Sequence, residues 1–538
     1  LAMLTAGCAQ YSPPVAVHDY VVSLDSDAMP HDPVAPFKQL SVKENGEFDC
    51  YIDHILSAMD QWHASRPDQT QTRKVLIFIH GGLTSLSDAS QDALAESSGV
   101  KSGGSYPIYI DWDSDFLSSY GEHLFTVSQG EKQYQEPAKT ARALLSPFYL
   151  IADLGRAISR IPVVWSEQIG SDSQTVQADL AAVRLNQPDL NWVQYAPFSN
   201  SLKQFKRLSD LYADDAKNNP TLDPYMPGRK QIMISIGSTS VTSGELAGLA
   251  AIYTATIPSK FGLSWILDGF GKSSWDNMIR RTLLLVDGSD RNPDFLRRAH
   301  PRSVEESRDD SEDLEPVGPV RLVVDKLFEH IAGLQAEAKN KNLPVPNYEI
   351  TLVGHSMGSM VINELLTKEI ERDDKGEFKN IVFLAGACSV RDCSRCVAPY
   401  LLLHPHTQFF NLCLHPVADL SERYEDQYEL PPRGSLLVWI DEFLSDPPTM
   451  LDRTMGRWDN VLSGIGEFPQ SIRGQMTIKA FDKLETDNLV YGDPQKHGFF
   501  REQPYWDENF WKAGPPLTQD QPLYQAVKQA VDAANAKH

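Results

Sequence analysis

Residues Tyr348 to Leu366 constrain this chain more than any other stretch of similar length. Ile350-Thr-Leu-Val353 is close to continuously apolar, as a strand buried on both faces is. Gly354-His355-Ser356-Met357-Gly358 follows, and Ser359-Met-Val-Ile-Asn-Glu-Leu-Leu366 then spaces its apolar residues as a helix does. A strand that becomes a helix within five residues holds the central serine in a strained conformation with its hydroxyl presented. Glycines two residues to either side remove side chains that would collide there. The amides that open the helix favour negative charge near Ser356, which suits a developing oxyanion.

The rest of the chain shows the same alternation. Lys74 to Ile79, Tyr106 to Asp111, Asn380 to Ala385, Thr407 to Leu414 and Gln475 to Phe481 read as strands. Val320 to Lys339 carries apolar residues at helical spacing, ahead of the strand that leads to Ser356. Strand–helix alternation implies an α/β fold, a mainly parallel sheet covered by helices. It stops between Phe116 and Pro316, where helical patterns, one strand (Gln231 to Ile236) and an apolar Gly-rich piece (Ile257 to Phe270) occur. We therefore expect a tether over 1–40, the first half of the core over 41–116 and a large, mostly helical insertion or cap over 117–318. The second half of the core then fills 319–538. A separate second domain is the alternative reading of the insertion.

Lys74–Ile79 runs into His80-Gly81-Gly82-Leu83, whose paired glycines let backbone approach a substrate oxygen. Met357 supplies one oxyanion-hole amide in this reading, and Gly82 or Leu83 the other. With the HGG loop and the GHSMG turn together, residues 70–116 and 319–500 resemble the α/β-hydrolase superfamily of esterases and lipases. The resemblance implies the α/β-hydrolase fold and a triad in the chain order Ser, Asp or Glu, His. Of the fourteen histidines, His497 lies in a polar loop beyond the last strand and fits the base. Asp419, after the strand ending at Leu414, fits the acid, and Asp392, after the preceding strand, is the alternative. Glu422 and Asp441 are weaker candidates. His80 is expected to brace the oxyanion loop by hydrogen bonds.

The implied activity is carboxylic ester hydrolysis through an acyl-enzyme, with no cofactor and no metal. A lipase, phospholipase or lipid deacylase is the alternative, and an amidase or acyltransferase uses the same constellation. From another class, a non-catalytic, hydrolase-like binding lipoprotein is the rival. Substrates are expected to be small-molecule or lipid esters. A net charge of -23 argues against a nucleic-acid partner, since nothing offsets phosphate repulsion. The sequence leaves the oligomeric state open.

Leu4-Thr5-Ala6-Gly7-Cys8 resembles a bacterial lipobox, with Cys8 as the lipidation site. It implies export and membrane contact through a lipid anchor, facing the periplasm or cell exterior. Pro147 to Ile169 is too charged to span a bilayer and reads as amphipathic. Two further patterns tempt. Asp111, Asp113, Asp115 and Glu122 match calcium-loop positions, but Phe116 stands where such a loop needs glycine. Cys388, Cys393, Cys396 and Cys413 are spaced somewhat like an iron–sulfur set, but for an exported chain read better as thiols able to pair.

Overall fold

The computed structural model describes residues 15–35, 38–41, 46–66, 72–125, 127–128, 131–132, 144–162, 232–235, 243–288, 296–298, 314–372, 376–414, 419, 422, 434–481, 494 and 496–511. In chain order, the strands that position the site are β1 (Val21–Leu24), β2 (Pro30–His31), β3 (Arg73–Ile79), β4 (Ser105–Trp112) and β5 (Ile232–Ser235). Then come β6 (Tyr348–His355), β7 (Phe378–Leu384), β8 (Gln408–Leu414) and β9 (Met476–Phe481). Helices are α1 (Glu47–Ser65), α2 (Leu86–Ser102), α3 (Phe116–Phe125), α4 (144–162) and α5 (Ser243–Asp287). They continue as α6 (Pro319–Asn340), α7 (Gly358–Arg372) and α8 (Val390–Leu403).

Packing divides the chain into two compact units, Leu1–Ser118 with Met278–Ile381, and Ser119–Asn277 with Val382–His538. In the first, the strands lie in the order β2-β1-β4-β3-β6-β7. Strands β1, β4, β3 and β6 pair in parallel, and β2 is antiparallel to β1. Parallel neighbours cannot be joined by tight turns, so helices such as α2, between β3 and β4, make the crossovers. In the second, β8, β9 and β5 pair in parallel in that order, and the chain passes between units inside β7. The architecture is α/β: mainly parallel sheet flanked by helices. The apolar runs explain why, since every residue of β4 and the last five of β3 are buried.

Two expectations need revision. Residues 15–35 are no tether. Val21, Val22 and Leu24 are fully buried, and β1 pairs with β4 from Val21↔Tyr109 to Leu24↔Trp112. A run of only four residues gives little signal in sequence, and its burial is decided by the partner strand. Second, the expected cap region contributes β5 to the sheet of the second unit, and α5 runs unbroken through the Gly-rich piece. Glycine is tolerated in α5 where close packing needs it: a Cβ on Gly269 would collide with Ala157 of α4. No helix among the described residues is long and apolar enough to cross a membrane.

Candidate active site

The first unit holds the serine turn. Ser356 has φ 49°, in the left-handed region that a non-glycine residue adopts only under local constraint. The glycines beside it meet backbone, which cannot swing aside. A Cβ on Gly354 would lie 2.8 Å from the carbonyl carbon of Gly358, and one on Gly358 would run into the carbonyl oxygen of Ile79. The Ser356 carbonyl accepts from the Ser359 amide at 3.1 Å and its hydroxyl at 2.7 Å, which ties the turn to α7. The Ser356 hydroxyl is buried and has no hydrogen-bond partner among the described residues.

The loop after β3 packs directly on this turn. A Cβ on Gly81 would sit 2.7 Å from the Ser356 Cβ, and one on Gly82 would sit 2.6 Å from the Met357 Sδ. Position 81 needs glycine for closeness, not for turn conformation, whereas Gly82 faces the flexible ends of Met357 and Met278. His80 braces the loop. Its Nε2 accepts from the Trp112 amide at 2.9 Å, so Nδ1 carries the proton and donates to the Gly81 carbonyl at 2.7 Å. The imidazole also stacks on the Trp112 indole, 5.7 Å between centroids.

Ser114 is a second brace, which sequence reasoning missed. Its Oγ donates to the carbonyls of Gly81 (3.1 Å) or Thr84 (3.0 Å) and accepts from the Thr84 amide at 3.2 Å. The Leu83 amide donates to the Ser114 carbonyl at 3.0 Å. Leu83 is therefore occupied and does not fit the role of oxyanion donor. The amides of Gly82 and Met357 meet no acceptor among the described residues. The β3–β4 register, Ile79↔Ile110, sends residues 81–84 and 112–115 off the sheet side by side, and is the one signal that could have found Ser114.

The acidic segment after β4 is absorbed locally. Asp111 accepts from Ser90 at 3.1 Å, Asp113 pairs with the buried Arg281, and Asp115 caps α3 by accepting the Ser118 amide at 2.7 Å. Among the described residues, no group of His, Cys, Asp and Glu is set to hold a metal ion. Cys388, Cys393 and Cys413 are buried thiols, Cys396 is half-buried and Cys50 exposed, and none is bridged. Burial and the neighbouring Cys388 hold the Cys393 thiol well above its ordinary pKa.

The second unit holds the expected base and acid. His497 is buried and opens a short turn, His497–Phe500, with its amide donating to Glu422 Oε2 at 2.8 Å. Asp419, 1% exposed, accepts from Arg457 Nε at 2.8 Å on one oxygen and from the Ser435 hydroxyl on the other. Arg457 reaches across to Asp441 at 3.0 Å. Asp441 also accepts from the Thr454 amide (2.8 Å) and Asn460 Nδ2 (2.7 Å). One guanidinium thus serves two buried carboxylates, which would be costly to bury without it. Asp441 is a structural partner of Arg457. Asp392 instead stands exposed in the first turn of α8, where an acid complements the helix dipole.

Glu422 keeps a fringe of solvent contact, yet lost hydration and the charge of Asp419 push its pKa up to about 8. The His497 amide and Lys496 pull the other way without cancelling this. Cys8 lies outside the described residues. Compared with protein-family models, curated proteins and solved structures, the chain finds no match.

Proposed function

We propose that this protein is a serine hydrolase of the α/β-hydrolase type that cleaves carboxylic esters through an acyl-enzyme. The observation that carries the reading is Ser356 at φ 49°, its hydroxyl without a partner among the described residues, packed under the Gly81–Gly82 backbone. Storing strain at one serine, and keeping both facing loop positions free of side chains, has a physical purpose in acyl transfer. The backbone supplies donors where oxygen becomes negative, and the glycines keep the approach clear.

His497 takes the proton from Ser356 as it attacks the ester carbonyl, and the alcohol leaves with a proton returned by His497. Gly82 and Met357 donate to the tetrahedral oxyanion. Asp419 orients the imidazole and stabilises its cation. A carboxylate has about four acceptor directions, so the bonds from Arg457 and Ser435 leave capacity for an imidazole N–H. Water activated by His497 then releases the acid and restores the serine. Short p-nitrophenyl esters give the direct test. Ser356→Ala should lose about 10⁴-fold or more in kcat, with KM little changed. Equal turnover by Ser356→Ala would overturn the proposal.

A further inference from the structure

We propose that α4 is a bilayer-contact element, laying its outer face into the headgroup–acyl boundary of a phospholipid membrane. The inference is independent of the hydrolase reading. Leu144, Phe148 and Ile151 are 73, 67 and 64% exposed, and Leu145, Leu154 and Ile158 are exposed too. At 100° per residue these six, with Leu150 at 44% exposure, spread over an arc of about 220°. Between them on the helix surface fall only Ile161 and Gly, Ala, Ser and Pro residues.

The opposite face is fixed to protein within the same unit. Asp153, the one acid in 144–162, is turned inward and accepts from Tyr120 (3.0 Å) and Ser273 (3.2 Å). Arg160 pairs with the buried Asp268 at 2.8 Å, and Arg156 and Arg160 both reach Asp446. Ala157 packs on Gly269 of α5. The apolar side is therefore held outward by ion pairs.

Two features select lipid over protein. A helix seam for a second copy is a narrow stripe, whereas an arc of about 220° matches immersion in an acyl boundary. And in a chain of net charge -23 this face carries no acid, so approach to phosphate headgroups meets no like charge on the face itself. Its two arginines are already paired, so attachment is apolar, not electrostatic. Binding should consequently favour zwitterionic over anionic vesicles at low salt, with the difference shrinking as salt screens the net charge.

The test uses the full chain with Cys8→Ser, which removes any acyl anchor, sedimented with phosphatidylcholine vesicles, with and without phosphatidylglycerol. We expect sedimentation with phosphatidylcholine, weakened about tenfold or more when Phe148→Glu and Ile151→Glu are combined. The thermal melt of that double variant should stay unchanged, because both side chains touch solvent. Ser159→Glu, within the same arc, gives a milder variant should the double one fail to fold. No sedimentation of the Cys8→Ser chain, equal sedimentation of the variants, or a dimer that these variants dissociate without vesicle binding, would each overturn the proposal.

Discussion

Ser356 draws its character from residues that touch no substrate. The positive φ is held from below by Ser359, and from the side by glycines whose replacement would meet backbone. The second unit treats its acid in the same way, with Arg457 and Ser435 fixing Asp419. If Asp419 orients His497, Asp419→Asn should cost about 10³–10⁴-fold in kcat, whereas Asp392→Asn, exposed on α8, should stay within about twofold of the parent. Ester kinetics on the two variants side by side decide between them. Glu422 gives a stability prediction. Its pKa rises from an ordinary 4.5 to about 8, so between those values the folded state holds a proton that the unfolded state releases. Stability contributed by this group falls as pH rises from 4.5 to 8. Urea midpoints for Glu422→Gln should therefore fall less over that interval than those of the parent, and parallel curves would contradict the assignment.

At the level of elements, legibility followed the length of the apolar run. Strands β3, β6, β7 and β8 carry near-continuous apolar stretches, β9 alternates its apolar residues with Thr477 and Lys479, and the sequence places each within two residues. Strand β1 has only Val21-Val-Ser-Leu24 and follows a Pro-containing start, so local reading takes it for tether. Its worth is testable: Leu24→Ala should cost about 2–5 kcal/mol in urea denaturation, where a tether residue would cost almost nothing. The candidate site divides along the same line. The serine turn and HGG loop are local patterns and were readable. Ser114 and Arg457 were not, because their partners lie 33 and 38 residues away and only the fold brings them together. The calcium-like pattern, discounted in sequence because Phe116 replaces a needed glycine, is resolved by partners in the fold as well: Asp111 accepts from Ser90, Asp113 pairs with Arg281, Asp115 caps α3 and Glu122 accepts from Asn277.

At the scale of the whole molecule, two compact units share one kind of architecture, and each keeps a different part of the proposed chemistry. Nucleophile and oxyanion donors belong to the first, base and acid to the second. The insertion that the sequence sets apart as a cap is no separate body: residues 119–277, with α4, β5 and most of α5, belong to the second unit and residues 278–318 to the first. Formal charge acts at this scale too: an excess of acid repels polyanions and leaves neutral esters unhindered. The central claim is that Ser356 is an activated nucleophile. Intact-protein mass spectrometry after treatment with a fluorophosphonate tests it most directly. The account predicts one adduct per chain, mapped to the peptide containing Ser356, and none on Ser356→Ala or His497→Ala. An unlabelled parent, or a label that survives Ser356→Ala, would contradict it.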